Sequence, residues 1–287
     1  MKKIIRTADE KRGILQVTTV DERWYPKPSI HAETGLPEYQ FVPSVTWICG
    51  YYPKGVAFYK WLANNGWDES QAIKNAAGDK GSKVHFAIAD LIDQKRVAMD
   101  AQYLNPSTER LEELTLEEYE CLMSFAAWHK ETNPQVIIRE MTVWSDKYGY
   151  AGTIDCIAKI GDNYFVIDFK TGQYLWPEHE LQVSAYETAL PENDDIMELL
   201  KKAGWKGELI KRAILQIGYR KNKAGWKFTE IEDKFDLFLA AQKIWKHETS
   251  GEKVLQKDYP LSLSLAPATK EAEAETEKPK KNGKVRS

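Results

Sequence analysis

The sequence predicts an α/β (α+β) protein with a central mixed β-sheet flanked by helices. Two observations carry that prediction. After a β-rich start, helical patterns are followed by three strand patterns in succession joined by short turns, then by helices and two more strands. This order is not a regular βαβ alternation. The composition, 43% hydrophobic and 29% charged over 287 residues, supplies a sizeable core with a polar surface. No apolar run approaches the roughly 18 residues that span a bilayer.

The first forty residues read as β-rich. GILQVTTV alternates plausibly from Gly13, and EYQFVPSVT gives a second short strand ending at Pro43. GVAFYKWLANNG spaces Val56, Phe58, Trp61 and Leu62 as a helix does and stops at Asn-Asn-Gly. DESQAIKNAAGDKGSKVHFAIADLIDQK continues as one or two helices, with a break expected near Gly78 to Gly81. Thr115 with Glu118 makes a capping box and opens a helix from about Leu116 to Thr132, which Pro134 closes off. Strands are expected at Val136–Trp144, Thr153–Ile160 and Tyr164–Lys170. Helices follow near Glu178–Leu190 and Ile196–Ala203, then strands in RAILQIGYR and GWKFTEI, and a last helix over Phe235–Glu248.

Residues 1–265 thus read as a single domain with a β-rich extension over about 1–43. From Ala266 the chain lacks aromatics, and its charges segregate into glutamates and then lysines. Such a segment buries too little apolar surface to offset the entropy of ordering, so 266–287 is expected to be a disordered charged tail. The amino terminus shows no apolar signal region, and the expectation is a cytoplasmic protein of a bacterial or phage-infected cell. Three scattered cysteines argue against a disulfide framework and against a zinc site. A net charge of −3 neither announces nor excludes a nucleic-acid partner, since a local basic groove can sit on an acidic protein.

The chemistry concentrates in GYAGTIDCIAKIGDNYFVIDFKTG, Gly149 to Gly172. Strand side chains alternate faces, so Phe165, Ile167 and Phe169 form an apolar face, and Val166, Asp168 and Lys170 share the other. In the preceding strand Ile154, Cys156, Ala158 and Ile160 form the apolar set, and Asp155 points the other way. Antiparallel pairing about the Gly161-Asp162 turn brings Asp155 beside Asp168 and Lys170. Two carboxylates that close repel unless a cation lies between them. A hard divalent ion resolves the conflict, and a salt-bridged triplet at a sheet edge fits the spacing equally well.

Asp155 followed by Asp168-Phe169-Lys170 resembles the core of the PD-(D/E)xK nuclease superfamily, with an acid on one strand and D/E-x-K on the next. AGTIDCIA resembles the RecB-like, phage-type exonuclease branch, which reads G-x-x-D before the D-x-K strand. GSKVH (Gly81 to His85) resembles that branch's G-x-x-x-H motif, and LQVSAY holds Gln182 and Tyr186 in its Q-x-x-x-Y pattern, where i and i+4 share a helix face. VPSVT at Val42–Thr46 resembles the amino-terminal region of phage-type members. The likeness spans roughly residues 40–220.

The resemblance implies a restriction-endonuclease-like core and a Mg²⁺- or Mn²⁺-dependent deoxyribonuclease. It implies metal ligands at His85, Asp155, Asp168 and the Phe169 backbone carbonyl, with Glu140 an additional candidate. Lys170 would position the attacking water, and Gln182 and Tyr186 would support the D-x-K strand and a substrate phosphate. Thr171 could donate to a phosphate, and Tyr174 and Trp176 could stack on bases. Branch members with an iron–sulfur cluster carry four cysteines, so no cluster is expected here. The implied role is an exonuclease on DNA ends in phage-type recombination, replication or repair. Its partner would be DNA, with a recombinase or single-strand-binding protein as a further candidate, and no membrane. A structure-specific endonuclease of the same superfamily, a CRISPR-adaptation-type nuclease and a non-catalytic DNA-binding subunit of a recombination complex are the competing readings.

Overall fold

The computed structural model describes residues 4–9, 11–19, 22–30 and 37–250; the expected charged tail at 266–287 lies outside them. Among the described residues the chain forms strands β1 (Ile4–Asp9), β2 (Ile14–Thr18), β3 (Arg23–Ile30) and β4 (Pro37–Pro43). Helices α1 (Val45–Cys49), α2 (Val56–Asn65) and α3 (Trp67–Ile92) follow. Next come β5 (Gln102–Asn105), β6 (Arg110–Glu113), α4 (Leu116–Thr132), β7 (Gln135–Ser145), β8 (Tyr150–Ile160) and β9 (Asn163–Lys170). The chain continues through α5 (Pro177–Ala189), α6 (Asp194–Lys202), β10 (Ile210–Ile217), β11 (Trp226–Ile231) and α7 (Phe235–Thr249).

Among the described residues the protein is mixed α/β, with seven helices and a five-stranded mixed sheet ordered β11-β10-β9-β8-β7. Pairing is antiparallel except between β9 and β10, which run parallel. Parallel neighbours need a long crossover, and α5 and α6 provide it. Helices α1, α5 and α7 pack on one face of the sheet, burying Ile48, Leu181 and Phe238 with Ile157 and Val166. Helices α3 and α4 cover the other, burying Val84, Ile88, Phe125 and Trp128 with Cys156 and Phe165. A sheet covered on both faces needs apolar residues at consecutive positions, and Tyr164–Phe169 is buried without a gap. The three cysteines are free and buried in this interior. No helix among the described residues is long and apolar enough to cross a membrane.

Two expectations need correction. Helix α3 runs unbroken through Gly78 and Gly81, because its carboxy-terminal half is anchored on α4. Each interior glycine costs about 1 kcal/mol, which burial of Val84, Ala87 and Ile88 offsets. The face assignment in β8 also fails. Ile154 packs with Ile157 in one cluster, whereas Cys156 and Ala158 pack in the other. Regular alternation therefore breaks at Asp155, and the face carrying Val166 and Asp168 is as buried as its opposite.

A second sheet, β1-β2-β3-β4, lies on β7 and β8 through Tyr25, Val42, Trp144 and Ala151. Pro26 and Pro28 disguise β3 in the sequence, since proline cannot donate to a ladder. They fit because β2 pairs only with Arg23 and Trp24. VPSVT ends β4 at Pro43 and makes Ser44 the N-cap of α1, its Oγ accepting from Trp47 N at 3.1 Å.

Buried Asp9 joins the two sheets. Its carboxylate accepts from Arg12 Nε at 2.7 Å and from Thr142 N at 3.1 Å. Removing a buried acceptor strands its donors, at about 1–3 kcal/mol. Asp9→Ala is expected to lower unfolding stability by that amount in urea titration, and a loss below about 0.5 kcal/mol would contradict the joint.

Candidate functional site

The site forms where the β8–β9 ladder ends. Paired residues run from Ile160↔Asn163 to Cys156↔Ile167. Beyond them Phe169 N donates to Asp155 Oδ2 at 2.7 Å, so a carboxylate replaces a ladder carbonyl. The Phe169 carbonyl meets His85 Nε2 at 3.2 Å. His85 is held there by its helix. Lys83 is buried two residues earlier, 2.9 Å from Glu118 Oε2 and 3.3 Å from the Glu113 carbonyl. Glu118 in turn belongs to the capping box with Thr115. This buried pair fixes α3 against α4, and with it the reach of the imidazole.

His85 Nδ1 lies 3.4 Å from Asp155 Oδ1 and 3.6 Å from Glu140 Oε1. One ligand atom from each of His85, Glu140 and Asp155 falls within 4.8 Å of the others. Glu140 reaches this point from the middle of β7 with φ of +45°, a left-handed conformation that costs on the order of 1–3 kcal/mol in a non-glycine residue. Such strain persists only where the surroundings enforce it.

The electrostatics follow from crowding. Burial works against a charged His85, yet the carboxylates of Asp155 and Glu140 outweigh it and hold the imidazole pKa well above its usual value. Asp155 is itself buried, and His85, then Lys170 and the Phe169 N–H, keep its pKa low despite that. Burial raises Glu140, His85 opposes the rise, and the charge of Asp155 adds to it. The imidazolium thus occupies the position between two carboxylates that a cation would prefer.

Asp168 stands apart from that trio. It is fully buried, and Lys170 Nζ lies 2.5 Å from its Oδ2. Oδ1 has no hydrogen-bond partner, so the buried carboxylate keeps an unfilled acceptor. Burial, against the pull of Lys170 and with the charge of Asp155 adding, pushes its pKa up to about 6. From Lys170 a polar row continues across α5: Lys170 Nζ donates to Gln182 Oε1 at 3.4 Å, and Gln182 Nε2 donates to Tyr186 Oη at 2.7 Å. Burial, then the charges of Tyr25, Asp168 and Asp155, hold the Tyr186 hydroxyl neutral.

The other candidates are more peripheral. Thr171 is half-buried after β9. Tyr174 and Trp176 are 64% and 48% exposed, and Lys221 Nζ covers the Tyr174 ring at 3.9 Å from its centroid. His179 Nδ1 accepts from Trp176 N at 3.4 Å. Burial, then Lys170 and Lys54, lower its pKa to about 2, leaving it neutral. Sequence reading did not single out Gly152, the glycine of the G-x-x-D pattern, as a packing requirement. Neither this chain's left-handed Glu140 nor the role of the amino-terminal sheet leaves any spacing signal.

No protein-family model and no curated protein matches the chain.

A Cβ placed on Gly152 would stand 2.3 Å from Cε1 of Tyr186. The glycine therefore exists to let the Tyr186 ring cross β8 three residues before Asp155. Gly152→Ala is expected to cost about 1–3 kcal/mol through overpacking. Thermal unfolding checks this, and a wild-type melting temperature would refute the packing role.

Proposed function

We propose that the chain is a divalent-metal-dependent deoxyribonuclease of the PD-(D/E)xK kind, with a restriction-endonuclease-like core, acting on DNA ends. The observation that carries this reading is the convergence of His85, Glu140 and Asp155 within 4.8 Å, next to the Asp168–Lys170 pair. The sheet supports it too. An antiparallel β7-β8-β9 meander continues in parallel into β10, with the acid on β8 and D-x-K on β9.

The donor chemistry fits a metal. Two carboxylates, the Phe169 carbonyl nearby and one imidazole make an oxygen-rich set, suited to Mg²⁺ or Mn²⁺. The unfilled Asp168 Oδ1 supplies a further oxygen beside it. Bound there, such an ion would polarise the phosphoryl group and lower the pKa of a water. The chain's own groups do the rest. Asp168 and Gln182 hold the Lys170 ammonium at a fixed point, where it orients an attacking water and meets negative charge developing on phosphoryl oxygens. Tyr186, its oxygen already accepting from Gln182, has its proton free to donate to a substrate phosphate. His85 would serve as a ligand only as the neutral imidazole, so it would give up its proton if such an ion were held.

Purified protein with Mg²⁺ is expected to degrade linear duplex DNA and to leave covalently closed circles intact. Lys170→Ala and Asp168→Ala should each reduce the rate about 10²–10³-fold while circular dichroism stays native. Unchanged rates in both variants would remove the active-site assignment, and cutting of closed circles would make the enzyme an endonuclease.

A further inference from the structure

The amino-terminal sheet carries two arginines to the edge of the site. Its register sets Arg6 opposite Gln16 and Thr18 opposite Arg23. Opposed residues, and residues two apart along a strand, share a face. Arg6, Gln16, Thr18, Arg23 and Tyr25 therefore lie on one side. That side rests on the active-site strands: Arg6 Nε donates to Gln16 Oε1 at 2.8 Å, Gln16 Nε2 to Tyr25 Oη at 2.7 Å, and Tyr25 Oη meets Thr153 Oγ1 at 3.0 Å. Thr153 lies between Gly152, beneath Tyr186, and the strand position of Asp155.

The charge of Arg6 acts on Glu140 and on Arg23, and Arg23 in turn interacts with Tyr186. Burial, and next the Arg6 charge, lower the Arg23 pKa. Among the described residues no carboxylate lies within ion-pair distance of either guanidinium. Two partly buried cations that repel each other are stabilised by an anion between them. The planar guanidinium matches phosphate oxygens in pairs.

We propose that Arg6 and Arg23 form an anion site that holds a backbone phosphate of the nucleic-acid substrate, next to the phosphate that is cleaved. The identity of the anion rests on the nuclease reading; the site itself does not.

The test measures binding of a short fluorescent single-stranded oligonucleotide in EDTA, by anisotropy, across a salt series. Arg6→Gln and Arg23→Gln are each expected to weaken binding several-fold and to reduce the slope of log K against log salt by about 0.7, the contribution of one phosphate contact on a single strand. Arg23→Lys should keep most of the slope, because it keeps the charge. Mn²⁺ should bind all three at least as tightly as wild type, since removing a positive charge near Glu140 does not disfavour a cation. Weaker binding with an unchanged slope would mean a structural role and overturn the proposal, as would unaltered binding or a wild-type protein that does not bind the oligonucleotide. If Arg23→Gln does not fold, Arg23→Lys and Arg6→Gln, the latter on edge strand β1, read the same quantity. Wild-type binding with the expected slopes but no Mg²⁺-dependent cleavage would leave the anion site standing and remove the nuclease reading. Cleavage with unaltered arginine variants would do the reverse.

Discussion

The hydrogen bond from Phe169 N to Asp155 Oδ2, 2.7 Å long and buried, organises everything around it. It closes the β8–β9 pair with a side chain where a carbonyl would otherwise sit. A backbone donor inside a protein must be satisfied, so this bond holds the Asp155 carboxylate in a single orientation. It also leaves the other oxygen, Oδ1, facing His85 at 3.4 Å. On the far side of the same peptide, the Phe169 carbonyl meets Nε2 of that histidine. One residue pair on two strands thus aims three groups at a common point.

Charge balance is why the proposed site would suit a cation. Glu140 and Asp155 crowd around one imidazole, while Asp168, held by the Lys170 ammonium, feels the charge of Asp155 from beside them. With His85 protonated the cluster still carries an excess negative charge in a largely buried setting. Protonating Asp168, whose pKa burial has already raised to about 6, is one way to relieve it. The divalent ion proposed above would be the other. A salt-bridged triplet at a sheet edge, the competing reading of the spacing, fits less well. The aspartate is fully buried, and Glu140 holds a strained backbone to join the group.

How much of this was legible depends on how local each cause is. The hairpin, the capped α4 and the Q-x-x-x-Y helix follow from short-range patterns, and they stand close to where the sequence puts them. The proximity of His85 follows from a motif, whereas its fixed position depends on the buried Lys83–Glu118 pair, which joins residues far apart in sequence. Face alternation misleads at Asp155 because Ile154 and Cys156, two residues apart, pack in different clusters. Glycines 78 and 81 read as a break, because propensity counts their local cost and not the α4 contact that outweighs it. Glu140 could be named as a candidate, but its left-handed φ has no local signature. That conformation is imposed by neighbours on β8 and α3.

The amino-terminal sheet was the least legible part, and it is not an inert addition. Asp9 satisfies the backbone N–H of Thr142, two residues beyond strained Glu140, and Tyr25 touches Thr153 on the next strand. These contacts brace β7 and β8 at the Thr142–Thr153 rung, just beyond the Glu140 distortion. A strained residue keeps its conformation only while its flanks are held. The sheet therefore supplies a mechanical condition for the cluster, and the same face that braces it carries Arg6 and Arg23. Bracing and charge arrive together because a strand's register sets all of its side chains at once. Shifting β3 by one residue would turn away Tyr25 and Arg23 together, and shifting β1 would turn away Arg6 and remove Asp9 from Thr142.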